Sequence, residues 1–485
     1  MKQTRYDFDV AILGGGSAGY AAARTAAGAG LKTVVIEGGE EVGGLCILRG
    51  CMPSKALLYA AEALHLARHG ATWGLKPGKI GFDFKKVMAR KAAMIGDFAS
   101  YRRKQLGNGK FKFVRANARF VDAHTLELKP LTPSLSPSDG ERVAKPGEGK
   151  HPRLTAKHFV IATGSVVSPP PLLVLDEVGY ITSDHALSLK KLPKSLIVLG
   201  GGAIACELAQ FFARFDVKVT MIQRSAHVLK EFDEDASAVV ETVFRREGIK
   251  VFTGTKLLNA RRNGRRKAVE FEQGGKQLRV EADEILLALG RSPNTAGLGL
   301  ETAGVRTEKG RIVSDGQMRT SAPHIFAAGD CTGPYEIVHI AIQQAEIAAH
   351  NIARPRKPRT ADYRLLTSVV FTDPQVATVG LTEKEATARK ISFLAASYPF
   401  NDHGKSLIME ALDGFVKLLA NPKTGQILGG CCVGPVGGEL IHEINVAMAK
   451  RMTVHEFAAT PHYHPTLAEI WTYPAEELAE MIPAR

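Results

Sequence analysis

Cysteine is scarce. Six cysteines in a chain of 485 residues are too few for a disulfide-stapled scaffold. Long apolar runs are also missing. The longest apolar-leaning stretch, 10–36, is broken by glycines and by Arg24, so no membrane association is expected. No secretory leader is visible, because Tyr6-Asp7-Phe8-Asp9 runs straight into a strand. A cytoplasmic location is the expectation, and an organelle matrix after processing also fits. Acidic residues are the minority, 49 against 63 Lys and Arg, for a net charge of +14. The two basic clusters, 261–267 and 354–359, contain no aromatics of the kind that stack on bases. The first holds the hairpin dipeptide Asn263-Gly264. The second holds Pro355 and Pro358 and reads as a linker. The surplus charge is therefore read as solvated surface, and no nucleic-acid partner is expected. With 45% apolar and 23% charged residues the chain is not disordered as a whole. At about 150 residues per domain, its length suggests three domains.

Glycine is in excess, 48 residues or about 10% against a usual ~7%. Two glycine clusters carry the clearest signal. The apolar run Val10–Leu13 leads into Gly14, Gly16 and Gly19, an Ala-rich helical stretch comes next, and a second strand ends at Glu37. In this G-x-G-x-x-G spacing the first glycine turns the chain. The second admits a pyrophosphate to the backbone, and the third lets helix pack on strand. The phosphates then sit at the helix N-terminus, and an acid at Glu37 can hold ribose hydroxyls. Residues 195–199 lead into a second such loop, Gly200, Gly202 and Ala205, with Gln223 rather than an acid closing the second strand. Arg224 and Lys230 lie just beyond, and basic residues there can accommodate the 2′-phosphate of NADP, so NADP is favoured slightly over NAD.

Between the two loops, residues 129–153 carry five prolines among Ser, Gly and charged residues. The segment is read as a disordered insertion at a hairpin tip. It separates strand-like stretches at 119–128 and 154–161. Beyond residue 360, strand-like and helical runs alternate without a glycine-rich phosphate loop, which suggests a third, α+β domain. Cys46 and Cys51 lie just ahead of a helical run. A helix N-terminus with Arg49 and Lys55 nearby would favour a thiolate, although the spacing alone is also that of two unrelated core cysteines. Cys431 and Cys432 fall inside an apparent strand, where neighbours face opposite ways, so no metal site is expected from them.

The run from Gly43 to Lys55 resembles the redox-active disulfide of the FAD-dependent pyridine nucleotide–disulfide oxidoreductases, the family of dihydrolipoamide dehydrogenase, glutathione reductase and mercuric reductase. The motif order is similar as well: Gly14–Gly19, Cys46-x4-Cys51, Ala162-Thr163-Gly164, Gly200–Ala205, Ala327-Ala328-Gly329-Asp330, and His464-Pro465-Thr466. The likeness covers nearly the whole chain apart from 129–153. It implies an α/β fold with two Rossmann-like dinucleotide-binding domains and a C-terminal α+β dimerisation domain. The implied boundaries are 1–160 with 286–358 for FAD, 161–285 for NAD(P), and 359–485 for the dimer interface.

The resemblance also implies roles. Hydride passes between nicotinamide and flavin, and electrons then reach a Cys46–Cys51 disulfide. Cys51 faces the flavin and Cys46 exchanges with substrate. Lys55 and Glu207 form an ion pair beside the flavin, and Asp330 binds its ribityl chain, near the turn at Gly164. His464 is the acid–base group, oriented by Glu469, and acts on the disulfide of the partner subunit in an obligate homodimer. The substrate is then a small-molecule or lipoyl-domain disulfide, and with no lipoyl-carrier segment before the first strand that partner would be a separate chain. Several features depart from the family or divide its members. The terminal cysteine pair of mercuric reductases is missing, whereas the histidine those enzymes tend to lack is present. His462 resembles dihydrolipoamide dehydrogenases, Gln223-Arg224 does not, and Ala203 stands where a larger gating residue is frequent. An NADPH-dependent reductase of another disulfide or of mercuric ion, and a flavin redox sensor without turnover, are the competing readings.

Overall fold

The computed structural model describes residues 6–76, 78–131 and 151–483. The expected disordered insertion at 129–153 therefore lies largely outside the described residues. The chain divides into two compact units. One comprises Met1–Pro53, Lys91–Ser168 and Arg291–Ala361, and the other Ser54–Arg90, Pro169–Gly290 and Asp362–Arg485.

The first unit is built on a parallel sheet in the order Lys112–Phe120, Thr33–Glu37, Phe8–Leu13, Arg153–Ile161, Ile325–Ala327. Val10, Ala11, Ile12, Val34 and Val35 are wholly buried, the continuous apolar pattern of strands covered on both faces. The helix Ser17–Gly28 buries Ala18, Ala21, Ala22, Ala23 and Ala26. These small side chains let the helix Val338–Ala353 pack closely along it. The strand-like stretch 119–128 proves to span a turn. Lys112–Phe120 and Thr125–Pro130 pair antiparallel, the Val121 N–H donates to Thr125 O, and the Asp122 carboxylate accepts from the His124 N–H. The apolar pattern runs on across the turn, which is why it resembles one strand. The 354–359 segment is fastened rather than loose, because buried Asn351 exchanges hydrogen bonds with both backbone groups of Arg359.

The second unit holds another parallel sheet, in the order Lys250–Phe252, Lys218–Ile222, Ser195–Leu199, Glu284–Leu287, Ile181–Thr182. It also holds an antiparallel meander of Thr255–Asn263, Arg266–Gln273 and Lys276–Ala282. Gly264, at φ +58°, makes its first hairpin turn, which accounts for the first basic cluster. A five-stranded antiparallel sheet runs Thr367–Val370, Gln375–Gly380, Ile427–Gly434, Phe415–Ala420, Leu394–Pro399, with the helices Gly437–Ala449 and Thr472–Met481 packed with it. In the strand Ile427–Gly434, Cys431 joins one apolar core and Cys432 another. The alternation of a strand thus sends the two thiols to opposite faces. Among the described residues no helix is long and apolar enough to cross a membrane.

Candidate active site

In the first glycine loop, Gly14 has φ +104°, and a side chain there would sit 2.3 Å from Ala162 O. A Cβ on Gly19 would come within 1.8 Å of Gly14 O. Turn and helix are therefore locked by two positions that only glycine can fill. Gly16 caps the helix Ser17–Gly28 without a side-chain hydrogen bond, so its first N–H groups have no side chain closing them off. Gly44, at φ +77°, faces Gly16 so closely that a Cβ would lie 2.5 Å from its Cα. Glu37 braces the loop: its Oε2 accepts from the Gly15 N–H at 2.7 Å and its Oε1 from the Gly39 N–H at 2.7 Å. Each oxygen keeps a lone pair for a further donor.

Asp330 accepts from Ser165 Oγ at 2.6 Å, and Ser165 Oγ in turn accepts from Arg291 Nε at 2.8 Å. Gly164 turns at φ +71° and its carbonyl accepts from the Asn294 N–H at 2.9 Å. The backbone cradle, the helix N-terminus, the Glu37 carboxylate and the anchored Asp330 fit a dinucleotide such as FAD.

The second loop repeats the first. Gly200 has φ +120° and a Cβ there would meet Ala288 O at 2.3 Å, while the space over Gly202 is open. Buried Gln223 occupies the place that Glu37 takes in the first loop. A Cβ on Gly15 would touch Glu37, and one on Gly201 would touch Gln223. The carboxamide accepts from the Arg224 N–H at 3.0 Å, leaving the Arg224 side chain exposed. Lys230 is exposed and lies 3.7 Å from Glu231.

Cys46 stands on the short helix Leu45–Leu48 and Cys51 opens the helix Cys51–Arg68; both are half-buried. The helix carries no acid in its first turn, so no carboxylate offsets its positive end beside Cys51. The two cations near them in sequence are both engaged. Arg49 pairs with Glu41 at 3.3 Å, and Lys55 pairs with buried Glu207 at 2.8 and 3.0 Å. Glu207 also accepts from the Phe371 N–H at 3.0 Å, and the Lys55 ammonium lies 4.5 Å from the Phe371 ring centroid.

A cation farther along the chain, Arg102, interacts electrostatically with Cys46. Burial lowers its proton affinity, opposed by Tyr20, Cys46 and Tyr101. Its guanidinium lies over the Tyr20 ring at 4.6 Å, and Nη1 is buried without a hydrogen-bond partner among the described residues. Sequence reasoning missed Arg102, Phe371 and the Ser165–Arg291 brace, since nothing in their local spacing marks them.

His464 and Glu469 are joined by Nδ1 contacts of 3.0 and 3.1 Å to the carboxylate oxygens. The two residues after Glu469 fix it in place. Ile470 and Trp471 are wholly buried, and Trp471 Nε1 donates to Leu440 O at 3.2 Å. Truncating such a tryptophan typically costs about 3–5 kcal/mol, so the carboxylate is held by the core. His462 is engaged separately, with Glu443 at 2.7 Å.

Two nucleotide loops, a cysteine pair at a helix start and a carboxylate-held histidine together define a flavin-type disulfide oxidoreductase. Residues 8–345 match the pyridine nucleotide-disulphide oxidoreductase family, and residues 366–475 match the dimerisation domain of the same family. The chain belongs to this family. It is a FAD-dependent enzyme that acts on sulfur groups with a pyridine nucleotide, and its dimerisation domain makes it a homodimer.

Among its relatives are the dihydrolipoyl dehydrogenase of Bacillus subtilis, 35% identical over 96% of each chain, and the mercuric reductase of Streptomyces lividans, 35% identical over 97% of this chain and 96% of that one. The solved structure of LpdA from Mycobacterium tuberculosis matches with a TM-score of 0.83 at 28% identity, covering 97% of this chain and 99% of that one. The HOCl-induced flavoprotein disulfide reductase RclA from Escherichia coli matches with a TM-score of 0.82 at 25% identity, covering 98% and 100%.

Proposed function

We propose that this enzyme couples a small-molecule or lipoyl-domain dithiol/disulfide to NADP(H), in the manner of a dihydrolipoyl dehydrogenase. The observation that carries the reading is the exposed imidazole of His464 held by the buried carboxylate of Glu469. Thiol–disulfide exchange releases and consumes a proton, and histidine titrates near neutral pH.

In this reading the chain has three functional parts: FAD at 1–160 with 286–358, nicotinamide at 161–285, and the dimer interface at 359–485. FAD, when bound, relays an electron pair between the nicotinamide and the Cys46–Cys51 disulfide. Gly14, Gly16, Gly19, Glu37, Gly164 and Asp330 hold it. Gly200 and Gly202 take the nicotinamide dinucleotide. Arg224, with Lys230 beyond it, takes the 2′-phosphate, because the neutral Gln223 does not repel that group. Cys51 stands toward the cofactor and Cys46 exchanges with substrate. Lys55, fixed by Glu207, supplies positive charge. His464 accepts a proton from the entering dithiol, and Glu469 stabilises the imidazolium so formed. In the dimer this histidine serves the disulfide of the partner subunit.

A mercuric-ion reductase fits less well. The four other cysteines are buried. Burial pushes the Cys331 thiol up to about 11 and that of Cys431 up to about 12, so neither offers a thiolate to a soft metal at neutral pH.

The test is reduction of NAD and NADP by dihydrolipoamide, side by side, on the purified flavoprotein. Turnover with NADP at least matching NAD is expected. No turnover with either would remove lipoamide as substrate, and the reverse reaction with NADPH against a disulfide and metal panel would then identify the acceptor.

A further inference from the structure

Glu469 has a second histidine on it. His403 comes directly after the short turn Phe400–Asp402 and is 0% exposed, and its Nε2 lies 3.4 Å from Glu469 Oε1. That nitrogen is buried with no hydrogen-bond partner among the described residues, so it meets the carboxylate as a close electrostatic contact. On its other side, His403 Nδ1 meets Ser406 Oγ at 2.8 Å, and Ser406 is equally buried. The arrangement selects a tautomer. An Nε2 lone pair aimed at a carboxylate would be repelled, so Nε2 carries the proton and Nδ1 accepts from the serine hydroxyl. His464 approaches the same carboxylate from solvent, its side chain 76% exposed. Gly404 lies beside it, at a distance where a Cβ would be 4.0 Å from His464 Cε1, an ordinary contact.

We propose that His403 is a positioning residue that shares the charge of Glu469 with His464, and so sets the proton affinity of the acid–base histidine. The proposal rests on the reading of His464 and Glu469 given above. A carboxylate faced at 3.4 Å by a buried N–H dipole has part of its charge offset before a second imidazole meets it. The same contact limits the rotamers open to Glu469. Burial lowers the proton affinity of His403 and Glu469 opposes this, which agrees with a neutral ring that donates.

The other titratable groups facing the cluster are already engaged or lie outside it. Tyr473 stacks on Tyr398, whose hydroxyl donates to Asp402 and is pushed up to about 12 by burial and by that carboxylate. His462 is paired with Glu443. Lys405 lies with Ser406 on the short helix Gly404–Met409 and is partly exposed.

The test compares His403→Leu, His403→Gln, Ser406→Ala and His464→Gln holoenzymes. The readouts are the pH profile of kcat/KM for dithiol-dependent nicotinamide reduction, and flavin reduction by NADPH in a single turnover. In His403→Leu the undivided charge falls on His464, so the acid-side ionisation moves up by about half to one pH unit. Its kcat falls about tenfold as Glu469 loosens. His403→Gln, which keeps an N–H near the Nε2 position, retains the wild-type profile within about 0.3 unit. Ser406→Ala moves the profile in the same direction as His403→Leu but less, and flavin reduction by NADPH is unchanged in all four. A wild-type profile in both His403→Leu and Ser406→Ala, with His464→Gln inactive, would overturn the role of His403 alone. If His403→Leu yields no flavoprotein, the Ser406→Ala profile decides. Full turnover by His464→Gln would instead remove the acid–base assignment itself.

Discussion

His464 and Glu469 form a pair in which the base is in solvent and the acid is not: Nδ1 lies 3.0 Å from Oε2, with side-chain exposures of 76% and 10%. The carboxylate fixes the ring and its tautomer through Nδ1, leaving Nε2 on the side of the ring away from Glu469. Replacing His464 by Gln is expected to lower kcat for dithiol oxidation about 10²–10⁴-fold. The reduction of the bound flavin by NADPH should stay at its wild-type rate, which stopped-flow absorbance would show.

Cys46→Ser removes the sulfur assigned to substrate exchange. Steady-state disulfide turnover should then fall by at least about 10³-fold, with flavin still bound and still reducible. Full disulfide turnover in this variant would contradict the roles assigned to the two cysteines.

Gly44→Ala places a Cβ 2.5 Å from the Gly16 Cα at a φ of +77°. Neither backbone can yield without moving the phosphate loop. The purified variant is expected to lose most of its flavin, read as the ratio of absorbance at the flavin band to that of the protein. Gly78→Ala, where a Cβ meets nothing within 4 Å, should keep it.

Arg224→Glu reverses the charge proposed to meet the 2′-phosphate. A charge-assisted hydrogen bond contributes about 1.5–3 kcal/mol, so the NADPH to NADH ratio of kcat/KM should fall roughly 10- to 100-fold. An unchanged ratio would make Arg224 a bystander.

Burial lowers His158 and His65 from 6.5 to about 4 each. The unfolded chain then binds more protons than the native one between those values, so stability is full above pH 6.5 and falls as the pH drops toward 4. Thermal unfolding measured over that range should show the midpoint dropping, with a shallower slope in His158→Asn. His158 Nδ1 is buried without a hydrogen-bond partner among the described residues, and Lys157, His324 and His124 add to burial in opposing its protonation.

What could be read from the chain depended on how local each feature is. Gly14, Gly16 and Gly19 define their turn within six residues, and Glu37 closes the same βαβ unit, so the first loop was legible in full. The second loop was equally plain, and Asn263-Gly264 made the hairpin it signalled. The 119–128 stretch misled because an apolar rhythm does not mark a turn made by Asp122 and His124.

By itself the sequence determined the two glycine-loop units, the cysteine pair at a helix start, the alternation that separates Cys431 from Cys432, and the order of motifs that marks the family. All of these rest on interactions between residues close in the chain, where spacing and backbone geometry suffice. Only the tertiary structure decided which charges meet. It engaged Arg49 and Lys55 with Glu41 and Glu207, the latter 152 positions from its lysine, and brought Arg102 into electrostatic reach of Cys46. It also set His403 behind Glu469, far from it in the chain, though no local pattern relates them. Such contacts arise from the packing of whole sheets and helices, and an electrostatic partner is chosen by distance and burial, which a linear sequence does not contain.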